Sequence, residues 1–143
     1  MRIGEILAAK GEHETVTITA DAGVRDLIAR LAEHNIGALV VSSDGRRVDG
    51  IVSERDVVRH LHHDGTVINN TVAAIMTSDV QTCGPDDDLD EVMATMTARR
   101  FRHVPVVVDG ALAGIVSIGD VVKHKISRLQ FERDQLDSYV HGQ

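Results

Sequence analysis

Aromatic side chains and long apolar runs are scarce in this sequence. Its 143 residues include two Phe, one Tyr and no Trp, so aliphatic side chains and Met must form the core. No run approaches the about 20 consecutive apolar residues that a membrane-spanning helix needs. The opening residues Met1–Glu5 also lack the apolar stretch of a secretory signal. We therefore expect neither membrane insertion nor secretion.

Cysteine and net positive charge are lacking as well. The lone Cys83 excludes a disulfide within the chain and favours the reducing environment of the cytoplasm. The formal net charge is −7 at pH 7, whereas nucleic-acid-binding proteins usually present a basic face. We therefore expect a cytoplasmic protein without a nucleic-acid partner, in which local groups must hold any anionic ligand.

A tandem repeat is the main feature that the sequence does contain. Gly50–His60 aligns with Gly114–His124, and both segments begin with Gly-Ile-Val-Ser and place an Asp three residues after the Ser. Other segments align at nearly the same offset: Ile36–Val41 with Phe101–Val106, Val16–Asp21 with Gln81–Asp86 and, in apolar pattern, Ile3–Ala9 with the linker Asn69–Met76. Agreement across separate blocks indicates a duplication.

Hydrophobic periodicity predicts a β-α-β-β-α order in each repeat. In the first repeat the predicted segments are a strand at Thr15–Thr19, a helix from Val24 to near Asn35, strands at Ala38–Ser42 and Val48–Val52, and a helix from Ser53. In the second they are a strand at Val80–Cys83, a helix at Leu89–Arg99, strands at Val104–Val108 and Ala111–Val116, and a helix from Ser117. A short helix is expected before each repeat.

A single repeat of roughly 60 residues buries too little apolar surface to be stable alone. We therefore predict an α/β fold of the α+β type, in which two β-α-β-β-α repeats pack sheet to sheet with pseudo-two-fold symmetry. Residues 1–64 would form the N-terminal helix and the first repeat. Residues 65–143 would form the linker helix, the second repeat and a C-terminal helix extension. The two parts are expected to form one integrated pair.

The repeated Ser-x-x-Asp motif has two interpretations. Ser53 and Ser117 fall at predicted helix starts, with Asp56 and Asp120 on the first turns. A carboxylate there can accept hydrogen bonds from the two hydroxyls of a ribose, while the helix N-terminus favours a phosphate. Alternatively, each motif is a capping box, in which both side chains only satisfy helix amides. Capping boxes prefer Glu or Gln to Asp at that position, so two copies with Asp favour ribose binding.

These motifs, together with Val104-Pro105-Val106, resemble those of tandem CBS-domain proteins, also called Bateman modules. The resemblance runs from about Arg2 to His124. It implies that the Ser and Asp contact the ribose and phosphate of adenosine ligands, and that the first strand and the Pro-Val strand surround the adenine. The implied residues are Thr17, Ile18, Ala38, Ser53 and Asp56 at one site and Thr82, Cys83, His103, Pro105, Ser117 and Asp120 at the other. Val40 replaces Pro105 in the first repeat, which departs from the pattern.

Two arginines are candidates for phosphate contact. Arg55 lies within the first Ser-x-x-Asp motif, and Arg102 precedes His103. Each either contacts a phosphate or stays solvated, and both alternatives remain open. Gly119 takes the place of Arg55 in the second repeat, so we expect the two sites to differ in charge. Arg99 and Arg100 are interpreted as solvated residues that complement the dipole of a helix end.

Neither a metal site nor a catalytic centre is predicted. The run His60–His63 has no second His or Cys pair to complete a zinc site. Cys83 is interpreted as a small buried residue, because the sequence identifies no base beside it. No nucleophile, base and orienting group are recognisable together. We therefore expect a protein that is not an enzyme and requires no cofactor.

The last helix is expected to extend beyond its counterpart, from Ser117 to about Ser138. Its apolar residues lie roughly along one face: Val122, Ile126, Leu129, Leu136 and Val140. Such a stripe favours a homodimer contact, and folding back onto the same chain is the alternative.

Two functions remain from these observations. The first is a regulatory module that binds AMP, ADP, ATP or NAD between the repeats and signals to an effector protein that the sequence does not identify. A signal of this kind requires a ligand that binds two conformations with different affinities. The second is a protein-interaction or structural module that binds no ligand. Val40 and the capping-box interpretation keep this second function open.

Overall fold

A computed structural model describes residues 1–11 and 15–142 as a mixed α/β structure. Its helices are α1 (Ile3–Lys10), α2 (Val24–His34), α3 (Glu54–His63), α4 (Leu89–Arg99) and α5 (Ile118–Val140). Its strands are β1 (Thr17–Ile18), β2 (Ala38–Val41), β3 (Gly50–Ser53), β4 (His103–Val108) and β5 (Ala111–Ser117). The predicted succession of elements is present except for the first strand of the second repeat and the linker helix, and the bounds of α4 match the prediction.

The two sheets differ in their first strand. In the first sheet, β1 pairs in parallel with β2, which pairs antiparallel with β3. In the second, β4 and β5 are antiparallel, and the predicted strand Val80–Cys83 is reduced to a single parallel bridge between Cys83 and Val106. The bridge stops there because Gly84 and Pro85 follow, and Pro has no N–H with which to continue a ladder.

The linker forms two short 3-10 turns, Gly65–Asn69 and Val72–Ala74, and not the predicted helix. Its backbone bonds to the segment that leads into α2. The Val72 N–H donates to the Ala22 carbonyl at 2.8 Å, and the Val24 N–H donates to the Asn70 carbonyl at 2.9 Å. These bonds satisfy backbone groups that a longer linker helix would have paired internally.

The segments that precede the repeats are exchanged between the two cores. Ile3 and Ile6 of α1 are fully buried in the core of the second repeat. Val72 and Ile75 of the linker are buried in the core of the first repeat. The predicted boundary between residues 64 and 65 therefore separates the two repeats in sequence but does not separate two independent cores. The core of the first repeat includes the linker before the second repeat, and the core of the second includes α1.

This exchange explains the Gly of each Gly-Ile-Val-Ser segment. A Cβ atom on Gly114 would lie 2.8 Å from Cδ2 of Leu7 in α1. A Cβ atom on Gly50 would lie 2.9 Å from both Sδ of Met76 and the Thr77 carbonyl oxygen. Leu7 and Met76 occupy equivalent places in the repeat pattern. Glycine is present where the exchanged segment approaches the strand too closely for a side chain.

Helix α5 extends well beyond the second core. Every residue from Ile126 to Val140 is exposed, a length of about 22 Å at the usual rise of an α-helix. The predicted apolar stripe is therefore uncovered in the monomer. Within residues 1–11 and 15–142, no helix is both long and apolar enough to span a bilayer.

Candidate functional site

Two cavities lie side by side between the repeats. The first cavity, of about 370 Å³, contains Ser53 and Asp56. The second cavity, of about 460 Å³, contains Ser117 and Asp120. Both volumes fall in the range of small-molecule sites. Gly37, Ala38 and His103 line both cavities. The predicted residues Arg55 and Arg102 also line the first cavity.

Both Ser-x-x-Asp motifs form capping boxes. The Ser53 N–H donates to Oδ2 of Asp56 at 2.8 Å, and the Asp56 N–H donates to the Ser53 hydroxyl at 3.2 Å. Ser117 and Asp120 form the same pair of bonds, at 3.0 and 3.1 Å. The capping interpretation is therefore confirmed, although Asp is shorter than the usual Glu.

Capping leaves part of each carboxylate available. Oδ2 of Asp56 accepts the capping bonds, whereas Oδ1 accepts no hydrogen bond from any residue that the structure describes. Asp56 is only partly buried and faces the first cavity. Asp56 can therefore cap α3 and still accept a hydrogen bond from a ligand hydroxyl, so capping and ribose binding are compatible.

Each cavity combines the Asp of one repeat with residues that lead into the first strand of the other. Val80 and Gln81 line the first cavity. Thr15 and Val16 line the second. The resemblance had grouped each Asp with the first strand of its own repeat, and that grouping is corrected. The reason is the exchange of the preceding segments. Because each of these segments packs against the core of the other repeat, the residues that follow it line the cavity that contains the Asp of the other repeat.

Five residues implied by the resemblance lie apart from both cavities. They are Thr17, Ile18, Thr82, Cys83 and Pro105. Ile18 is buried in the first core. Thr82 and Cys83 line a separate cavity of about 160 Å³. Pro105 is buried within β4, where its carbonyl accepts from the Cys83 N–H at 3.0 Å.

The first cavity is rich in arginine. Of its described lining residues, five are arginines and three are acidic, although the whole chain is strongly acidic. The arginines are Arg55, Arg59, Arg99, Arg100 and Arg102. Arg59 is not among the predicted site residues, and Arg99 and Arg100 are predicted to be solvated. The four-residue spacing of Arg55 and Arg59, which places both on one face of a helix, was the available signal.

Arg100 lies in the first cavity with an unusual backbone. It follows α4 in the left-handed conformation, with φ of 60°. Its repeat equivalent at the second cavity is Asn35, with φ of 51°. Asn visits this conformation easily, whereas a longer side chain adopts it at a cost. The cost at Arg100 is consistent with a functional position.

The second cavity contains one Lys and one Asp among its described lining residues, and they are paired. Nζ of Lys10 donates to Oδ2 of Asp120 at 2.8 Å and to the Ile115 carbonyl at 3.0 Å. Partial burial alone raises the pKa of Asp120. The bonds from Lys10 and Ser117 outweigh it and lower that pKa below its ordinary value. The two cavities thus differ in charge, as the sequence predicted.

The family is decided by the match to known sequences. The sequence pattern of the CBS domain matches residues 6–63 and again 72–127. The chain belongs to the CBS domain family. A mitochondrial CBS domain-containing protein of Arabidopsis thaliana is 34% identical in an alignment 148 residues long, which covers 98% of this chain and 72% of the relative.

Solved structures give the same fold. The CBS-domain-containing protein of Agrobacterium tumefaciens is 39% identical, with a TM-score of 0.83 over 87% of this chain and 99% of the other. A CBS domain protein of Pyrobaculum aerophilum, solved in complex with AMP, is 27% identical. Its TM-score is 0.73 over 84% of this chain and 89% of the other. The predicted fold and family are therefore confirmed.

His103 lies at the centre of the CBS pair. It begins β4 and lines both cavities. Burial lowers the pKa of His103 below its ordinary value, against the opposing influence of Glu54 and Asp120. Lys10 and Arg102 add to the lowering. The ring is therefore neutral at pH 7 and can donate one hydrogen bond and accept another.

Within the part of the chain that the structure describes, Cys83 and the histidines form neither a reactive thiol nor a metal cluster. The Cys83 thiol is buried, and burial followed by the charge of Asp87 raises its pKa to about 11. Such a thiol is largely protonated at pH 7 and is a poor nucleophile. Among residues 1–11 and 15–142, no three His, Cys, Asp or Glu side chains converge on a metal position.

Proposed function

We propose that this CBS pair is a regulatory module that binds an adenosine nucleotide in the first cavity. The observation that carries the proposal is that the Asp56 carboxylate and an arginine cluster line the same cavity, of about 370 Å³, between the repeats. The partly available carboxylate would accept the ribose hydroxyls. The similar Pyrobaculum aerophilum protein was solved in complex with AMP, which supports an adenosine ligand.

The arginine cluster would hold the phosphates. Arg55 lies on the first turn of α3, and Arg102 lies just before β4 on the other repeat. A guanidinium pairs with phosphate oxygens through two parallel hydrogen bonds. An anion that binds arginines of both repeats would favour one relative orientation of the two repeats. We propose ADP, ATP and NAD as further ligands, because the cluster offers more cations than one phosphate needs.

Signalling would follow because the bound nucleotide favours one relative orientation of the repeats over another. A ligand shifts a conformational equilibrium only as far as its affinities for the two states differ. Groups from both repeats line the first cavity, so its occupant would favour the orientation that brings them together. We propose that an effector protein reads this orientation, and that the module catalyses no reaction itself.

We also propose a homodimer through α5. Five of its exposed apolar residues recur at alternating spacings of four and three, interrupted by Arg133: Val122, Ile126, Leu129, Leu136 and Val140. This spacing is that of a coiled-coil seam. Leu129 is 53% exposed and Leu136 is 62% exposed in the single chain. A second copy of α5 would cover the stripe.

The cytoplasmic location stays a prediction that rests on the lone free Cys83. The Arabidopsis thaliana relative is described as mitochondrial. Fractionation of the source cells would decide between a cytoplasmic and an organellar location.

A thermal-shift panel tests the ligand. The wild type and Asp56→Asn are each tested with AMP, ADP, ATP, NAD, S-adenosylmethionine and GMP. Asp56→Asn keeps a capping oxygen but removes the negative charge of the side chain. A ligand at about 100 times its Kd stabilises by roughly 2.7 kcal/mol, a rise on the order of 5–10 °C. We expect that rise with adenosine nucleotides for the wild type only.

The alternative function predicts a different result. A CBS pair that serves only as an interaction module would show no shift with any nucleotide at millimolar concentration. The Asp120→Asn variant is the matched control, because it changes the equivalent carboxylate in the second cavity. If Asp120→Asn removed the shift and Asp56→Asn did not, the ligand would belong to the second cavity and the proposal would be wrong.

A further inference from the structure

Lys10 occupies the second cavity where a ligand hydroxyl would bind. It is the last residue of α1, and its ammonium contacts both the Asp120 carboxylate and the Ile115 carbonyl. The Asp120 side chain is 24% exposed and that of Lys10 is 40% exposed. The ion pair is therefore partly shielded from water. Oδ2 of Asp120 already accepts a hydrogen bond from the Lys10 ammonium.

Among the residues that the structure describes, the first cavity has no equivalent of this contact. The apolar pattern that relates Ile3 to Val72 places Lys10 at the position of Asp79. Asp79 lines the first cavity but carries the opposite charge. Among the described residues, the side-chain donor to Asp56 is the Ser53 hydroxyl, at 3.0 Å. A hydroxyl rotates away at little cost when a ligand hydroxyl takes its place.

We propose that Lys10 is a specificity-determining residue, which fills the hydroxyl-binding carboxylate of the second cavity and makes the two cavities unequal. The inference rests on the proposed adenosine ligand. A ribose whose two hydroxyls use both oxygens of Asp120 must displace the charge-assisted hydrogen bond that Lys10 donates to Oδ2. Such bonds are stronger than those between neutral groups. The first cavity therefore fills first, and the second fills only when the end of α1 releases Lys10.

The expected difference is about tenfold in Kd. This is the scale of one hydrogen bond to a charged group, reduced because the pair is partly exposed. A matched control exists on α5, where Nζ of Lys125 donates to Oδ1 of Asp90 at 3.0 Å. Neither Lys125 nor Asp90 lines the first or the second cavity. Lys125→Met thus breaks an ion pair of similar length without changing a cavity.

Calorimetric titration of the full chain with AMP tests the inference. The proteins are the wild type, Lys10→Met, Lys125→Met and the double variant Asp56→Asn/Lys10→Met. We expect one strong and one weak site in the wild type and in Lys125→Met. Lys10→Met should strengthen the weak site about tenfold, and the double variant should retain that strengthened site. Titration gives Kd directly, so a loss of thermal stability in Lys10→Met does not obscure the result.

Three results would overturn the inference. Unchanged weak-site affinity in Lys10→Met would show that the ion pair does not compete with the ligand. Weaker binding in Lys10→Met would show that Lys10 contacts the ligand itself. In both cases binding at the strong site persists, so the proposed function stands. Absence of AMP binding in all four proteins would contradict the proposed function, and the inference would fall with it.

Discussion

Gly37 and His103 lie face to face where the two cavities meet. A Cβ atom on Gly37 would lie 3.3 Å from Cε1 and 3.4 Å from Nε2 of the His103 ring. The two residues come from different repeats, and both line both cavities. The absence of a side chain at Gly37 thus lets an imidazole from the second repeat pack against the backbone of the first. Any ligand in either cavity has this ring within its wall.

The burial of His103 predicts a pH dependence of stability. Because the folded-state pKa is lowered, the unfolded chain binds a proton on His103 before the folded chain does. The contribution of neutral His103 to the free energy of unfolding is fully present above its ordinary pKa of 6.5. It is lost as pH falls from there through the folded-state pKa. We expect the wild type to lose more free energy of unfolding than His103→Gln between pH 7.5 and 5.5. Urea unfolding at both pH values measures it, and equal losses would contradict the assignment.

The two motif glycines predict unequal effects of the same substitution. A Cβ on Gly50 would meet the Thr77 carbonyl oxygen. The backbone of Thr77 is fixed by two hydrogen bonds of 2.9 Å with the backbone of Ile51. A Cβ on Gly114 would meet only the flexible end of Leu7. We expect Gly50→Ala to lower the free energy of unfolding by about 1–3 kcal/mol, and Gly114→Ala to lower it by less. Chemical denaturation of both variants checks the order, and the reverse order would contradict it.

Arg100 predicts a trade between stability and binding. Replacing it with Asn relieves a left-handed backbone that costs about 1–2 kcal/mol for most residues. We expect Arg100→Asn to melt a few degrees higher, on the order of 2–4 °C, and to bind AMP more weakly. Arg99→Asn is the control, because Arg99 ends α4 in helical conformation and also lines the first cavity. It should bind more weakly without melting higher.

Helix α5 predicts an assembly that one charge can break. Leu129 lies in the centre of the exposed stripe, so Leu129→Glu would place a carboxylate in the dimer contact. We expect sedimentation equilibrium to give a dimer for the wild type and a monomer for Leu129→Glu. Gln135→Glu adds the same charge to α5 away from the stripe and should remain dimeric. A monomeric wild type would contradict the proposed dimer.

The repeat and most of the elements could be predicted because they depend on local patterns. Apolar spacing gave the bounds of α4, and the Ser-x-x-Asp motif gave the starts of α3 and α5. The exchange of segments could not be predicted in this way. It depends on packing of α1 against the second core, which local periodicity does not encode.

The candidate site shows the same limit. Asp56 and Arg55 were found from the motif itself, but the Lys10–Asp120 contact joins residues 110 positions apart. The comparison of α1 with the linker rests only on their apolar residues. Extending that comparison by three positions aligns Lys10 with Asp79. The charge reversal is therefore visible in the sequence, although its meaning depends on the cavities.

The central claim is that an adenosine nucleotide binds the first cavity through Asp56. Calorimetric titration of AMP into the wild type, Asp56→Asn and Asp120→Asn tests it most directly. The account predicts that Asp56→Asn weakens the strong site at least tenfold, while Asp120→Asn leaves that site unchanged. Equal strong-site affinity in the wild type and Asp56→Asn would contradict the account.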